Sequence, residues 1–581
     1  QKFGGTSIGS VSRIKEVAKR IATSKEEGND LVVVVSAMGH TTDELINLAS
    51  SLSSNPPQRE MDMLLATGEQ VSIALLSIAL NDLGLEAISM TGSQVGIVTE
   101  SAHGKARILE VKTERIKSLL NQGKIVVVAG FQGTSRSTGG TAEITTLGRG
   151  GSDTSAVALA TVLGARNCEI YTDVQGVLTT DPRKVSSAKL MSSLSCDEML
   201  ELASLGASVL HPRAVELARN YGVNLTVRSS WDKNSGTLLT STRKRELGLE
   251  GLELGKPIDG MELVEKQSVI GLSNIPDKPG VAAELFEMLS SKGVNVDLII
   301  QAIQEKNSND ITFTIDNKDI LLTEQLCKTF VKNFGGELRI QNDMSKLSIS
   351  GAGIMGRPRI IANLFENLSK AGINIRLIAT SEVKVSCVID SKVGGKAFRT
   401  VSETFELNEY QTHLNPKINC FGEPEVRGLA HDPKQAQLTL VKVPDIPGTA
   451  AILFAKLADK GVSVDAIFQS ERQHNDNSRD ISFTLKKDDL NCAKNTLMPL
   501  LAIWKNSEIV DGPAITRVSA VGAGMPAISG TAGRLFRALA NENINILMIA
   551  TSEIRISCVV NERDGDKALR AIHNTFELGK E

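Results

Sequence analysis

Aromatic side chains are scarce in this sequence: 3% of 581 residues, with two tryptophans and three tyrosines. That argues against a stacking platform for single-stranded nucleic acid, which needs a row of aromatic faces. An excess of one charge sign is missing too. The 64 Lys+Arg and 67 Asp+Glu leave a net −3, with no basic stripe for a phosphate backbone and no acidic tail, so no nucleic-acid partner is expected. The seven cysteines, at 168, 196, 327, 387, 420, 492 and 558, stand singly without a C-x-x-C. They suggest neither a disulfide framework nor a zinc site, and point to a reducing, cytoplasmic setting with no resident metal. Long apolar runs are absent: LVVVV and AISM are strand-sized and VSIALLSIAL is broken by serines, short of the roughly 18 residues of a membrane span. Neither membrane association nor a signal peptide is expected; a first strand is due just before KFGGTS, so a few leading residues are expected ahead of it.

What is present divides into two architectures. Over the first 240 or so residues, β-branched runs alternate with helical patterns: LVVVVSAMG (31–39), IVVVAGFQG (125–133), CEIYTDVQGV (168–177) and NLTVRSS (224–230). This predicts an α/β domain, an αβα sandwich on a mainly parallel sheet whose strands are buried on both faces. Ligands of open α/β sheets bind outside the carboxyl ends of the strands, so SAMG, GFQG and TDVQG should line one crevice. A charged, glycine-punctuated stretch (241–261) then reads as a linker.

The rest repeats itself. NIPDKPGVAAELFEMLSSKGVNVDLIIQ (274–301) returns as KVPDIPGTAAILFAKLADKGVSVDAIFQ (442–469), and LIATSEVKVSCVI (377–389) returns as MIATSEIRISCVV (548–560). The C-terminal half is a tandem duplication of a two-domain unit, four βαββαβ sandwiches in all. GAGIMG (351–356) matches a dinucleotide fingerprint, but its partner copy GAGMPA lacks the third glycine and no acid follows at the required distance, so it reads as a strand-to-helix turn.

Five segments carry candidate chemistry. In QKFGGTSIGS, Lys2 precedes bare backbone at Gly4 and Gly5, which suits an anion nest or simply a tight turn. In TTLGRGGSDTSAVALA, Arg149 offers a fork for a carboxylate, and Ser152 and Asp153 open a helix whose N-terminus attracts anions or is merely capped by them. SAMGHTTDEL brings Ser36, Thr41 and Thr42 to the crevice edge, and ATGEQ places Glu69 on an otherwise apolar helix, where it could receive an ammonium. YTDVQGVLTTDPRK holds Asp173, Asp181, Arg183 and Lys184, a turn that could also hold a nucleotide. His40 and His211 lack partners at metal-ligand spacing, and no G-x-S-x-G elbow appears. Phosphoryl transfer needs no protein nucleophile, only positioning and charge neutralisation, which this inventory offers.

In this order, KFGGTS, SAMGHTTDEL, ATGEQ, GFQGT, TTLGRGGSDT and YTDVQGVLTTDPR resemble the aspartate kinases of the amino acid kinase family, and the resemblance runs along essentially the whole chain. It implies a catalytic domain (1–240), the linker, and four ACT domains at 262–342, 343–428, 429–513 and 514–581, as in a cyanobacterial-like form. The implied reaction is ATP-dependent phosphorylation of the aspartate β-carboxylate, with Mg2+ arriving on the nucleotide. By resemblance, Lys2 faces the transferring phosphoryl, with Gly4, Gly5 and Ser7 cradling its oxygens. Ser36, Thr42, Glu69, Arg149 and Ser152 bind aspartate, Asp153 organises the reacting centre, and Thr172, Asp173, Asp181, Arg183 and Lys184 hold ATP. Two departures stand out: Ser208 replaces a usual lysine, and Leu178 replaces a common aromatic in the nucleotide loop.

The resemblance also implies effector sites for lysine and threonine between paired ACT domains, and a homodimer formed through them. One site is expected from Asp277, Gly280, Asn295, Asp297 and Gln301 facing Asn374 and Ile375, the other from Asp445, Gly448, Ser463, Asp465 and Gln469 facing Asn545 and Ile546. Rival readings are a glutamate or N-acetylglutamate kinase, which seldom carries ACT pairs; a fusion with homoserine dehydrogenase, which needs a further dinucleotide domain; and an amino-acid sensor with an inactive kinase domain.

Overall fold

The computed structural model describes residues 1–136, 142–207, 209–241, 251–253, 255, 257–303, 308–352, 354, 357–414, 422–446, 448–469, 478–504 and 507–580. They form two compact units, Gln1–Val177 with Leu190–Ala203 and Ser208–Gly255, and Leu178–Lys189 with Ser204–Ala207 and Lys256–Glu581.

The first unit is built on an eight-stranded sheet, in the order Ser193–Ser195, Thr237–Thr240, Asn224–Ser229, Asn167–Thr172, Lys2–Phe3, Val32–Val35, Ile125–Ala129, Ala87–Met90. Its central strands are parallel, with Lys2 in register between Val34 and Ile170. Side chains alternate across the pleat. Phe3, Val33, Val35 and Val127 pack with Ile14, Val17 and Ile21 of helix Val11–Glu26 and Ile73, Leu76 and Leu80 of helix Gln58–Asp82. Val34, Val126 and Val128 are equally buried and point to the other face. There helix Gly151–Leu163 lies against the sheet, its residues from Gly151 to Ala160 all buried. Each such Val, Ile or Leu contributes roughly 1.5–3 kcal/mol by leaving water, and burial on both faces is why these strands read as unbroken apolar runs.

Helix Gln58–Asp82 is, among the described residues, the one helix long and apolar enough to cross a membrane by length and composition. Here it packs against the sheet and carries Asp62 and Glu69 on its buried side. A second sheet, Ile108–Val111, Ile97–Thr99, Gln132–Ser135 and Ile144–Thr146, leads into the TTLGRGG turn. Part of the expected linker extends it: Leu252 N–H donates to Leu109 O at 2.8 Å and Glu253 N–H to Ile108 O at 3.0 Å.

The second unit contains the four sandwiches, but they interleave rather than follow one another. Gly260–Val264 pairs with Lys346–Ser350 and, through Met261–Leu263, with Thr412–Leu414, so it completes the second sandwich, while the first is inserted after it. Likewise Gly428–Asp432 pairs with Arg517–Val521 and belongs to the fourth, whereas Gln435–Asp511 has its own four-stranded sheet. The expected boundaries at 262, 343 and 429 are corrected accordingly. A strand lost at one end of a sandwich must be supplied from elsewhere in the chain, and sequence repeats alone do not say from where. The pairing is also crossed. Helix Val281–Ser291 packs on Thr531–Asn541 and strand Val296–Ile303 pairs with Met548–Ser552, joining the first sandwich to the fourth. Helix Pro358–Lys370 packs on Thr449–Asp459, joining the second to the third.

Candidate functional site

Four adjacent parallel strands end at one edge of the first unit's sheet, and each delivers part of a polar cluster. Strand Lys2–Phe3 runs into the Gly4–Gly5 turn, where Gly4 N–H donates to Tyr171 O at 3.3 Å. A Cβ on Gly5 would lie 2.7 Å from Ala37 O, so only bare backbone fits beside the next strand's exit. Lys2 is buried and its Nζ lies 2.6 Å from Asp153 Oδ1 in the first turn of helix Gly151–Leu163. That helix has no side-chain cap at Gly150, which leaves its N-terminal amides to face an anion. Ser152 is buried there, against Gly130 at the end of the Ile125–Ala129 strand.

Ser36 and Thr42 are half-buried after the Val32–Val35 strand. Beside them Glu69 is 3% exposed; its Oε1 accepts from Ala37 N–H at 3.0 Å, and its Oε2 has no partner among the described residues. Burial pushes its carboxyl up to about 7, against the opposing effect of backbone hydrogen bonds. An orphaned, desolvated carboxylate oxygen is a receptor for a cation. Arg149 is exposed at the turn between strand Ile144–Thr146 and the helix, with no ion-pair partner among the described residues. Thr172 closes the fourth strand, its hydroxyl 3.1 Å from the carboxylate of exposed Asp173. The structure therefore gathers Lys2, Gly4, Gly5, Ser36, Thr42, Glu69, Ser152, Asp153, Thr172 and Asp173 at one set of strand ends.

Four further expected residues, Ser7, Asp181, Arg183 and Lys184, have their side chains engaged within the protein. Ser7 is fully buried and its hydroxyl bonds Ser230 Oγ at 2.6 Å, so it braces the turn rather than offering its side chain to a ligand. Asp181, Arg183 and Lys184 lie in the segment that belongs to the second unit. Arg183 forks onto Asp181 at 2.8–3.2 Å, and Lys184 Nζ is 2.7 Å from Asp566 and 2.5 Å from His431 Nδ1. Burial first, then the Lys184 charge, hold His431 below its ordinary pKa, so the neutral ring accepts from Lys184 while Nε2–H donates to Thr516 at 2.7 Å. Leu178 begins the same segment, and Ser208 lies outside the described residues.

Sequence reasoning missed three supports. Asp62 is fully buried, accepting from Thr146 Oγ1 at 2.5 Å and Gly104 N–H at 3.1 Å, with His103 Nδ1 2.7 Å away. Its spacing from Glu69, two turns along one helix, was the available signal. Arg213 and Glu253 form an ion pair at 2.9 Å, and the ring of His211 packs where a Cβ on Gly150 would sit. Glu253 stands in the linker, where nothing local marks it.

In the second unit the expected effector residues are rearranged by the crossing. Asp277 Oδ1 accepts from Asn545 at 2.8 Å and Asn309 at 2.7 Å, and Gln301 donates to Ile546 O at 2.9 Å. Gln301, Asn309, Asn545 and Ile546, with Gly280, line one cavity, and Asp277 bonds two of these lining amides. A second is lined by Asp445, Gly448, Asn374, Ile375 and Arg479, with Arg479 Nε 2.7 Å from Asp445. Asn374 and Ile375 thus face Asp445, and Asn545 and Ile546 face Asp277, the reverse of the expectation. Asp297 is taken by Lys346, and Asp465 by Gln435 at 2.8 Å and Arg517 at 3.5 Å, so neither lines these two cavities. Asn295 lines a different cavity together with Asp297, and the side chain of Gln469 lies outside the described residues.

Comparison with known proteins agrees with the two-part architecture. The amino acid kinase family profile matches residues 1–229, and an ACT-domain profile matches 268–328, 347–405 and 518–576. An aspartokinase of Bacillus sp. (strain MGA3) is 48% identical over 410 residues, 70% of this chain and 97% of that protein. One from Thermus thermophilus is 46% identical over 411 residues, 70% of this chain and 98% of that protein. The crystal structure of the aspartate kinase from Synechocystis shares 48% identity with a TM-score of 0.87, covering 100% of this chain and 98% of that one. With nearly the full length of such relatives matched at this identity, and with the strand-end cluster its motifs call for, the chain belongs to the aspartate kinases of the amino acid kinase family.

Proposed function

We propose that this chain transfers the γ-phosphoryl group of ATP to the β-carboxylate of L-aspartate, forming 4-phospho-L-aspartate, and that lysine and threonine restrain it through the ACT sandwiches. The observation that carries the reading is the unpartnered, buried Oε2 of Glu69 on the crevice edge that also holds the Lys2–Asp153 pair. Glu69 receives the aspartate ammonium and Arg149 its α-carboxylate, which leaves the β-carboxylate to face Lys2. A β-carboxylate oxygen attacks the γ-phosphorus while the bond to the bridging oxygen breaks, and ADP leaves with that electron pair. Lys2, oriented by Asp153, neutralises charge on the phosphoryl oxygens, and the Gly4–Gly5 backbone lets them approach. A Cβ on Gly4 would lie 3.5 Å from Lys2 Nζ, so bare backbone there keeps the ammonium open to phosphate oxygens, and Mg2+ would come with the nucleotide to offset its charge. The same reading places the enzyme in the cytoplasm at the head of lysine, threonine and methionine synthesis, as a homodimer joined through ACT sheets.

The test is acyl-phosphate formation from aspartate, ATP and Mg2+, trapped as the hydroxamate, with and without lysine and threonine. Turnover that falls at least about a hundredfold in Lys2→Ala, the size of a lost transition-state contact, is expected. Absence of turnover in the parent chain would leave an amino-acid sensor, and turnover untouched by either amino acid would remove the effector assignment.

A further inference from the structure

The turn that carries Arg149 is held by a side chain from one direction and a linker residue from another. Arg213, at the start of helix Pro212–Tyr221, donates through Nη1 to Leu147 O, two residues before Arg149, and through Nη2 to Ala106 O at 2.9 Å. Its remaining donors meet Glu253, Nε to Oε1 at 2.9 Å and Nη2 to Oε2 at 2.9 Å. Glu253 is itself buried, and its Oε2 also accepts from Ile108 N–H at 2.6 Å. Leu147 N–H donates to Phe131 O at 2.8 Å, so both sides of this peptide segment are fixed. One residue beyond Arg149, the His211 ring fills the space over Gly150. A planar guanidinium makes these four hydrogen bonds at once, more than the three N–H donors of an ammonium can supply.

We propose that Arg213 and Glu253 are positioning residues for the aspartate-binding turn. They hold the Leu147 carbonyl so that Arg149 is presented in one orientation, and they tie that turn to the segment leading into the second unit at Lys256. This rests on Arg149 binding the aspartate α-carboxylate. Because the pair acts only through Arg149, its loss is felt by aspartate and not by ATP.

The experiment compares Glu253→Gln, which is isosteric, and Arg213→Lys with Arg149→Ala and with the double variant Arg149→Ala/Glu253→Gln, all in the full chain. Steady-state constants for each substrate are measured alongside thermal unfolding. The expected result is an aspartate KM raised about ten- to a hundredfold in Glu253→Gln and in Arg213→Lys, the size of one charge-assisted contact, with the ATP KM unchanged. In the Arg149→Ala background Glu253→Gln should add nothing further, since coupled residues are non-additive. Equal rises in both KM values, a loss confined to kcat, or full additivity with Arg149→Ala would overturn the inference. If Arg149→Ala itself leaves the aspartate KM unchanged, the failure lies in the assignment of Arg149, and the inference falls with it.

Discussion

At the residue scale, two buried carboxyls of the strand-end cluster are treated differently by their surroundings. Asp153 sits 2.6 Å from the Lys2 ammonium, whereas Glu69 has only a backbone N–H and an empty second oxygen, and burial raises it to about 7. The sign of the consequence follows. Glu69 binds more protons folded than unfolded between its ordinary range and about pH 7, so stability of the ligand-free protein falls as pH rises through that window. Aspartate binding runs the other way, because only the carboxylate attracts the ammonium. The aspartate KM is therefore expected to rise as pH falls below about 7, and Glu69→Gln is expected to remove that dependence while raising KM throughout and making the free protein more stable above pH 7. A pH series of aspartate KM values, with urea unfolding of both proteins at pH 6 and 8, checks both signs; a pH-independent KM in the parent would exclude Glu69 as the ammonium receptor.

At the element scale, helix Gly151–Leu163 shows what a sequence reveals and what it hides. Both flanking glycines are left-handed, Gly150 at φ 69° and Gly164 at φ 65°, but their surroundings differ. A Cβ at Gly164 meets nothing within 4 Å, whereas one at Gly150 would lie 2.1 Å from the His211 ring. Gly164→Ala should cost about 1 kcal/mol of backbone strain and leave kinetics intact. Gly150→Ala should add about 1–3 kcal/mol of overpacking and raise the aspartate KM, because relief requires moving His211 or the Arg149 turn. Denaturant unfolding and kinetics on the pair separate strain from contact. The runs at 32–35 and 125–129 are legible because strands buried on both faces must be continuously apolar and β-branched, whereas 167–172 and 224–229 carry polar residues at their less buried positions and are legible from their β-branched and aromatic residues. The polar turns after them are legible from their glycine, serine and aspartate, but turns and caps need the same residues, so each points to a ligand only in company with the others. The Ser7–Ser230 bond, the Glu253 clamp and the capture of Lys184 by Asp566 and His431 are not, because each joins residues far apart in the chain through contacts that no local periodicity encodes.

At the scale of the whole molecule, duplication followed by crossing determines which residues share a cavity. The two copies contribute matching charged clusters in the second unit: Lys346 with Asp297 and Glu553, and Arg517 with Asp465 and Asp432. Burial alone would lower Lys346, but Asp297 and Glu553 outweigh it and hold the ammonium above its ordinary range. These clusters occupy the acids that a linear reading assigns to effectors, and so leave Asp445 lining one cavity and Asp277 bonded to two residues that line the other. The acids differ in what they meet. Among the described residues Asp277 accepts only from the amides of Asn545 and Asn309, whereas Asp445 already pairs with Arg479. A ligand ammonium at Asp277 adds a charge contact, while at Asp445 it must share the carboxylate with a guanidinium, so the two sites should differ in affinity or in ligand. Crossing then makes a prediction that sequential pairing does not. Asp277→Ala and Asn545→Ala should abolish the response to the same effector and be no worse combined than singly, although the two residues lie in different copies of the repeat. Asp445→Ala and Asn374→Ala should group together in the same way, with the other effector's response retained. Inhibition curves for lysine and threonine on the four single variants and two doubles decide the matter: grouping of Asp277 with Asn374 instead would mean that the sandwiches pair within each copy and that the crossed arrangement does not govern regulation.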